Sequence, residues 1–272
     1  MKNVFPIVST ILLSLGILPG SSLAIISRSR SYPQPINKSH IVQVQDSAKA
    51  YFEQGNAKSR AGNKQGAILD YDRAITINPK FVEAYYNRSI AKYKYQGENN
   101  QEAIADLDQA IALNPSFAEA YNSRGFAKSR LGNNQGAIAD LDRAIALKPN
   151  FSEAYYNRGI TKSRLGNNQD AIADLDQAIS LNPKYTDAYL NRGVAKYDLG
   201  NKQEAIFDYD RAIELNPKDA EAYLIRGATK YKLENKQGAI TDVSKAAKLF
   251  NQQGKMNLYQ TAMSFLRKLQ GK

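Results

Sequence analysis

The sequence predicts an all-α chain built from six stacked helical hairpins, and three observations carry that expectation. Pro79, Pro115, Pro149, Pro183 and Pro217 follow one another at spacings of 36, 34, 34 and 34 residues, so proline punctuates units of nearly equal length. Between the prolines one phrase repeats, as in EAYYNRSIAKYKYQGENNQEAIADLDQAIALNP and EAYNSRGFAKSRLGNNQGAIADLDRAIALKP. Inside each phrase the apolar residues recur three and four apart, which is the helical period.

The N-terminus reads as an address. Met1 to Asn3 carry one lysine, Val4 to Leu18 are almost wholly apolar or small, and Ser22-Leu23-Ala24 offers small residues before a cut. That is the three-part pattern of a secretory signal peptide over residues 1–24. The apolar run is shorter than the ~20 residues of a membrane-spanning helix, although an uncleaved anchor is the alternative. An exported protein of the periplasm, thylakoid lumen or extracellular space is therefore expected. Residues 25–47, with Pro33, Pro35 and little periodicity, read as a flexible leader.

Six units follow, at 48–81, 82–117, 118–151, 152–185, 186–219 and 220–253, the second carrying a two-residue insertion near Gly97. The eighth position reads Gly55, Ser89, Gly125, Gly159, Gly193 and Gly227, small enough to let the hairpin's second helix come close. Ala67, Ala137, Ala171, Ala205 and Ala239 stand at the twentieth position, with Ala74, Ala144, Ala178, Ala212 and Ala246 at the twenty-seventh. Gly62, Gly132, Gly166 and Gly200 suit left-handed ends of the first helix. The asparagine after each can cap the second, with capping-box spacing at Asn99/Glu102 and Asn201/Glu204. On the second helix Ala171, Ile172, Leu175, Ala178 and Ile179 are expected to be buried. In the last unit Glu234 replaces the turn glycine and Asn251 the proline. Residues 254–272 then read as a C-terminal capping helix, apolar at Leu258, Tyr259, Ala262, Met263, Phe265, Leu266 and Leu269.

A 34-residue period with these small residues and a closing proline resembles the tetratricopeptide-repeat (TPR) family, in the "YNRG" variety common in bacterial and cyanobacterial proteins. The resemblance covers residues 48–253 and implies a right-handed superhelical α-solenoid whose groove is lined by the first helix of each unit. It places at position five of that groove Phe52, Tyr86, Asn122, Tyr156, Leu190 and Leu224. At position nine it places Asn56, Ile90, Phe126, Ile160 and Val194, and at position twelve Tyr93, Tyr197 and Tyr231. An acidic rim at position two faces a basic one at thirteen, which includes Arg130 and Arg164. Such a strip suits an extended peptide or an amphipathic helix. The carboxylate clamp by which some TPR domains grip chaperone tails is not matched: Asn56 and Asn87 fit, but Phe52, Glu119 and Ser123 stand where cations belong.

Arg88, Arg124, Arg158, Arg192 and Arg226 recur at position seven and Lys92, Lys128, Lys162, Lys196 and Lys230 at eleven, beside D-x-D pairs such as Asp106/Asp108, Asp140/Asp142 and Asp174/Asp176. Carboxylates two apart on a helix do not converge on one ion. The expectation is a ladder of Arg–Asp pairs joining the two helices of each unit, with no metal site.

Composition narrows function further. There is no cysteine or tryptophan and one histidine, His40, which removes disulfides, thiol nucleophiles and Cys/His zinc sites. No catalytic residue and no cofactor is assigned. The formal charge of +11 prompts a polyanion-binding alternative, nucleic acid or anionic lipid, but acids interleave with the bases in every unit. The expected function is a non-catalytic scaffold outside the cytoplasm, binding a protein or peptide in the groove. A substrate-recruiting adaptor for a separate enzyme is the other alternative, and no stable membrane insertion is expected after signal cleavage.

Overall fold

A computed structural model of the chain describes residues 38–96 and 101–271. The signal peptide, the leader up to residue 37, the insertion at Gly97 and the Asn99 half of a capping box lie outside the described residues. Val42–Lys272 form one compact unit, and the architecture below is that of this unit.

Among the described residues there are thirteen α-helices and no strand. Hairpins pair α1 (Lys38–Arg60) with α2 (Lys64–Ile77), α3 (Val82–Gln96) with α4 (Gln101–Leu113), and α5 (Ala118–Arg130) with α6 (Asn134–Leu147). They continue as α7 (Ser152–Arg164) with α8 (Asn168–Leu181), α9 (Thr186–Asp198) with α10 (Lys202–Leu215), and α11 (Ala220–Lys232) with α12 (Lys236–Gln252). The last helix, α13 (Met256–Gln270), packs on α12. α1 starts at Lys38, so helix already occupies part of the segment read as leader.

Each hairpin closes on one large side chain set into a gap left by the eighth position. A methyl group added at Gly193 would lie 2.5 Å from Tyr209 Cε1, and one at Gly159 would lie 3.0 Å from Leu175 Cγ. Tyr209 and Leu175 are fully buried, as are the alanines at positions twenty and twenty-seven. Small residues bring the helix axes together, and the single large residue fills what remains at interior density. Ile172 and Ile179, expected to be buried, are instead half-buried, and Ile179 packs on the cluster of Leu175, Ala178 and Ala188 that reaches into the next hairpin.

The turns follow the glycines. Gly62, Gly132, Gly166 and Gly200 have φ between +79° and +87°, and Glu234 takes the same left-handed conformation at φ 62° despite its side chain. The asparagine caps are split. Asn63, Asn133 and Asn235 accept from the backbone N–H of Gly66, Gly136 and Gly238, whereas Asn167 and Asn201 make no side-chain cap. This corrects the capping box expected at Asn201/Glu204. The three capped turns have glycine three residues after the asparagine, where a Cβ would crowd the capping amide as it stands at 2.7–2.8 Å, whereas Asp170 and Glu204 occupy that place in the uncapped ones.

The C-terminal helix buries Ala262 and Leu269 against the α12 side chains that include Val243, Ala246 and Phe250. Leu258, expected to be apolar contact, is instead 37% exposed. A polar strip of Gln260, Thr261, Ser264 and Lys268 flanks Phe265 along one open face of α13. Among the described residues no helix is long and apolar enough to cross a membrane.

Candidate functional site

The first helices of successive hairpins touch each other, α5 with α7 and α7 with α9. Crowding of first helices makes theirs the inner side of the stack at these units, so side chains at positions five, nine and twelve share one face.

That face is organised by rings. Phe52 stacks on Phe81 at 4.8 Å between centroids, Tyr86 on Phe117 at 4.9 Å, and Tyr156 on Tyr185 at 4.7 Å. In each pair a position-five ring meets the residue just before the next unit's first helix. Sequence reasoning missed these partners, although a signal was present. Pro79, Pro115, Pro149 and Pro183 are each followed two residues later by Phe or Tyr.

Between α3, α5 and α7 lies a cavity of about 550 Å³. It gathers five of the sequence-predicted groove residues: Tyr86, Ile90, Tyr93, Asn122 and Phe126. It adds Lys94, Glu119, Ser123, Lys148, Phe151 and Tyr185, among others. Tyr93 and Phe126 face each other with centroids 5.6 Å apart. The Tyr93 hydroxyl is buried without a hydrogen-bond partner. Burial raises its pKa, with Arg130 and Arg164 opposing. Lys148 donates to Glu119 at 2.8 Å and lies 4.6 Å from the Phe151 ring centre. That hydrogen bond holds the Glu119 carboxyl below its ordinary pKa.

The remaining predicted residues are spread out. Asn56 accepts from the Tyr71 hydroxyl at 2.9 Å and from Asn87 at 2.8 Å, so the two asparagines that fitted a carboxylate clamp bind one another. Tyr156 and Ile160 pack on the cluster of Leu175, Ala178 and Ala188, and Leu224 on the C-terminal cluster. Tyr231 meets Phe265 of α13 edge-on at 5.9 Å. Leu190, Val194 and Tyr197 are half-buried along α9. Arg130 and Arg164 are exposed, and Arg164 donates to the Ser129 hydroxyl at 2.9 Å and to its carbonyl.

The opposite charges of the repeat form the expected ladder and extend it. Arg158 donates through Nε and Nη2 to both oxygens of Asp174 in its own hairpin, and through Nη1 to Asp142 of the preceding one. Arg88, Arg124, Arg192 and Arg226 repeat the arrangement. Each D-x-D is thus divided between two hairpins. Each of these guanidiniums lies 5.4–5.5 Å from the ring of the tyrosine three residues earlier, and Lys162 shares Asp174 at 2.8 Å. Burial opposes the charge on Arg158, and the hydrogen bonds to Asp174 and Asp142 overcome it, so its pKa is raised. Among the described residues no group of three His, Cys, Asp or Glu side chains is placed to hold a metal ion.

Profiles described as TPR repeat match residues 91–132, 130–166 and 163–200, and profiles described as tetratricopeptide repeat match 48–81 and 186–219. The chain belongs to the tetratricopeptide-repeat family. Among solved structures, this TPR chain is similar to the MamA protein, at 30% identity over 65% of this chain and 95% of that one, with a TM-score of 0.55. It shares its fold with PilW, described as a widely conserved type IV pilus biogenesis factor, at 21% identity over 79% and 98% of the chains and a TM-score of 0.71. It also shares it with YrrB, described as a TPR protein with an unusual peptide-binding site, at 23% identity over 71% and 97% and a TM-score of 0.54. Among curated proteins none matches. The TPR array is a scaffold for protein interaction.

Proposed function

We propose that this TPR chain is a non-catalytic scaffold of the YNRG type, which binds a peptide or helix of a partner protein on its first-helix face and acts outside the cytoplasm. The cavity between α3, α5 and α7 supports the binding reading. Ring edges, aliphatic groups and a few polar atoms line an opening of about 550 Å³, within the size range of ligand sites. A peptide-binding site is described for YrrB, which has the same fold. Export rests on the pattern from Lys2 to Ala24.

The ladder argues against a polyanion partner. The cations at positions seven and eleven of units two to six are held by aspartates, so the positive charge does not form an open stripe.

Crosslinking capture from an envelope extract tests the reading, with residues 25–272 beside a Tyr86→Ala/Phe126→Ala/Tyr156→Ala variant and a milder Phe126→Ala variant. A partner held by the parent and lost by variants that keep their helical circular dichroism is the expected result. Equal retention by all three moves the site off this face. N-terminal sequencing of the mature protein checks export, which fails if Met1 or Lys2 is still present.

A further inference from the structure

At three hairpin junctions a position-five ring stacks on the aromatic residue that opens the next unit: Phe52 on Phe81, Tyr86 on Phe117, and Tyr156 on Tyr185. The junction between the third and fourth units has the opening aromatic, Phe151, but Asn122 stands where the stacking ring would be. Phe151 is drawn into the core beside Ala118, Leu141 and Ala154, only 7% exposed, and Lys148 covers its ring. Asn122, whose side-chain oxygen accepts from Asn157 at 2.9 Å, lines the cavity together with Phe126, which is 38% exposed. Of the four junctions that carry an opening aromatic, this one therefore lacks the position-five ring, while the junction between units five and six has neither, with Leu190 and Asp219 at the two places.

The cavity also has a polar direction. Tyr93 brings to it a buried hydroxyl with no hydrogen-bond partner, and the exposed Lys94 lines the same cavity. A hydroxyl with no acceptor is costly to keep and is satisfied by an incoming oxygen. Lys148 is already bound to Glu119 and lies in the field of Glu153, which also lines the cavity. An acceptor of negative charge complements the Tyr93 end.

We propose that the cavity beside Asn122 seats an aromatic side chain of the partner peptide, and that an acidic residue adjoining that ring is received at Tyr93 and Lys94. This rests on the groove reading above and specifies its ligand. The ring takes the place that position five fills in the neighbouring units, and its carboxylate neighbour supplies the acceptor that Tyr93 lacks.

The test is a titration of the full chain, isotopically labelled, with acetyl-Glu-Tyr-amide, acetyl-Glu-Leu-amide and acetyl-Lys-Tyr-amide, followed by amide chemical shifts. Saturable shifts at Ser123, Phe126 and Phe151 are expected with the Glu-Tyr probe, and binding about fivefold weaker when the ring or the acid is exchanged. Substitutions at Asn122 fill the place in steps. Asn122→Ala is expected to bind as the parent does, Asn122→Leu more weakly, and Asn122→Tyr at least about tenfold more weakly while melting no lower than the parent. Should Asn122→Tyr fail to fold, Asn122→Leu against Asn122→Ala decides. Absence of saturable shifts, equal binding by the Leu probe, or binding indifferent to the Asn122 series overturns the aromatic seat. Equal binding by the Lys probe overturns the acidic neighbour. Partner capture lost in the Phe126→Ala variant but unchanged in Asn122→Tyr leaves the groove reading standing and removes only this one.

Discussion

Arg158 and Asp174 are joined by two parallel hydrogen bonds, of 2.9 and 2.6 Å, that close one hairpin while the same guanidinium holds Asp142 of the hairpin before it. One side chain thus serves both terms on which a repeat array depends, the stability of the unit and the interface to its neighbour. Removing it leaves Asp174, whose side chain is 6% exposed, short of a partner.

Arg158→Ala is expected to destabilise by about 3 kcal/mol, the lower end for breaking a buried pair, because Lys162 still reaches Asp174. Asp176→Ala removes only the inter-hairpin bond of Arg192 from a carboxylate that is 55% exposed, and less than about 1 kcal/mol is expected. Urea unfolding of the two variants distinguishes them. Equal losses would mean that the ladder does not work through burial.

Position eight carries a ranking. Gly193→Ala drives a methyl to within 2.5 Å of Tyr209, a ring that is 1% exposed and hemmed in, and should cost about 1–3 kcal/mol. Gly159→Ala meets Leu175 at 3.0 Å and should cost less. A thermal melt indifferent to both substitutions counts against the helix pairing.

The caps should respond to their third neighbours. Asn133→Ala removes a hydrogen bond to the Gly136 amide and is expected to cost about 1 kcal/mol. Asn167→Ala, which removes no such bond, should be close to neutral. Similar losses at the two positions would contradict the difference in capping.

Glu234 holds a left-handed conformation at φ 62°. Glu234→Gly relieves a strain of about 1 kcal/mol and is expected to raise the melting temperature by a few degrees, about 2–4 °C. A lower melting temperature in the glycine variant contradicts this.

Burial pushes the Tyr156 phenol up to about 12, with Asp187 adding to the effect and Arg164 opposing it. An unfolded tyrosine titrates near about 10, so the folded state holds its proton more tightly. The resulting stability is fully present below about pH 10 and is lost as pH rises from about 10 to 12. Tyr156→Phe is therefore expected to lose stability less steeply over that alkaline range, as chemical denaturation at stepped pH would show. Parallel curves refute it.

The letters by themselves determined the all-helical hairpins, the glycine turns and the oppositely charged ladder, since each depends on spacing within one unit. Pro79 to Pro217 mark the units, Gly62 and its counterparts mark the turns, and D-x-D opposite Arg marks the pairing. What only the tertiary structure decided lies between units or turns on a single atom. The third arm of Arg158 reaches Asp142 because two hairpins stack at one offset. Asn201 goes without its cap in a turn that has Glu204 where the asparagine-capped turns have glycine. The groove residues, a uniform strip in the sequence, divide into rings that stack on the next hairpin and a cavity at Asn122 where one does not. Residues of adjacent hairpins are separated by a turn that breaks the helical period, so their meeting is settled by packing rather than by that period.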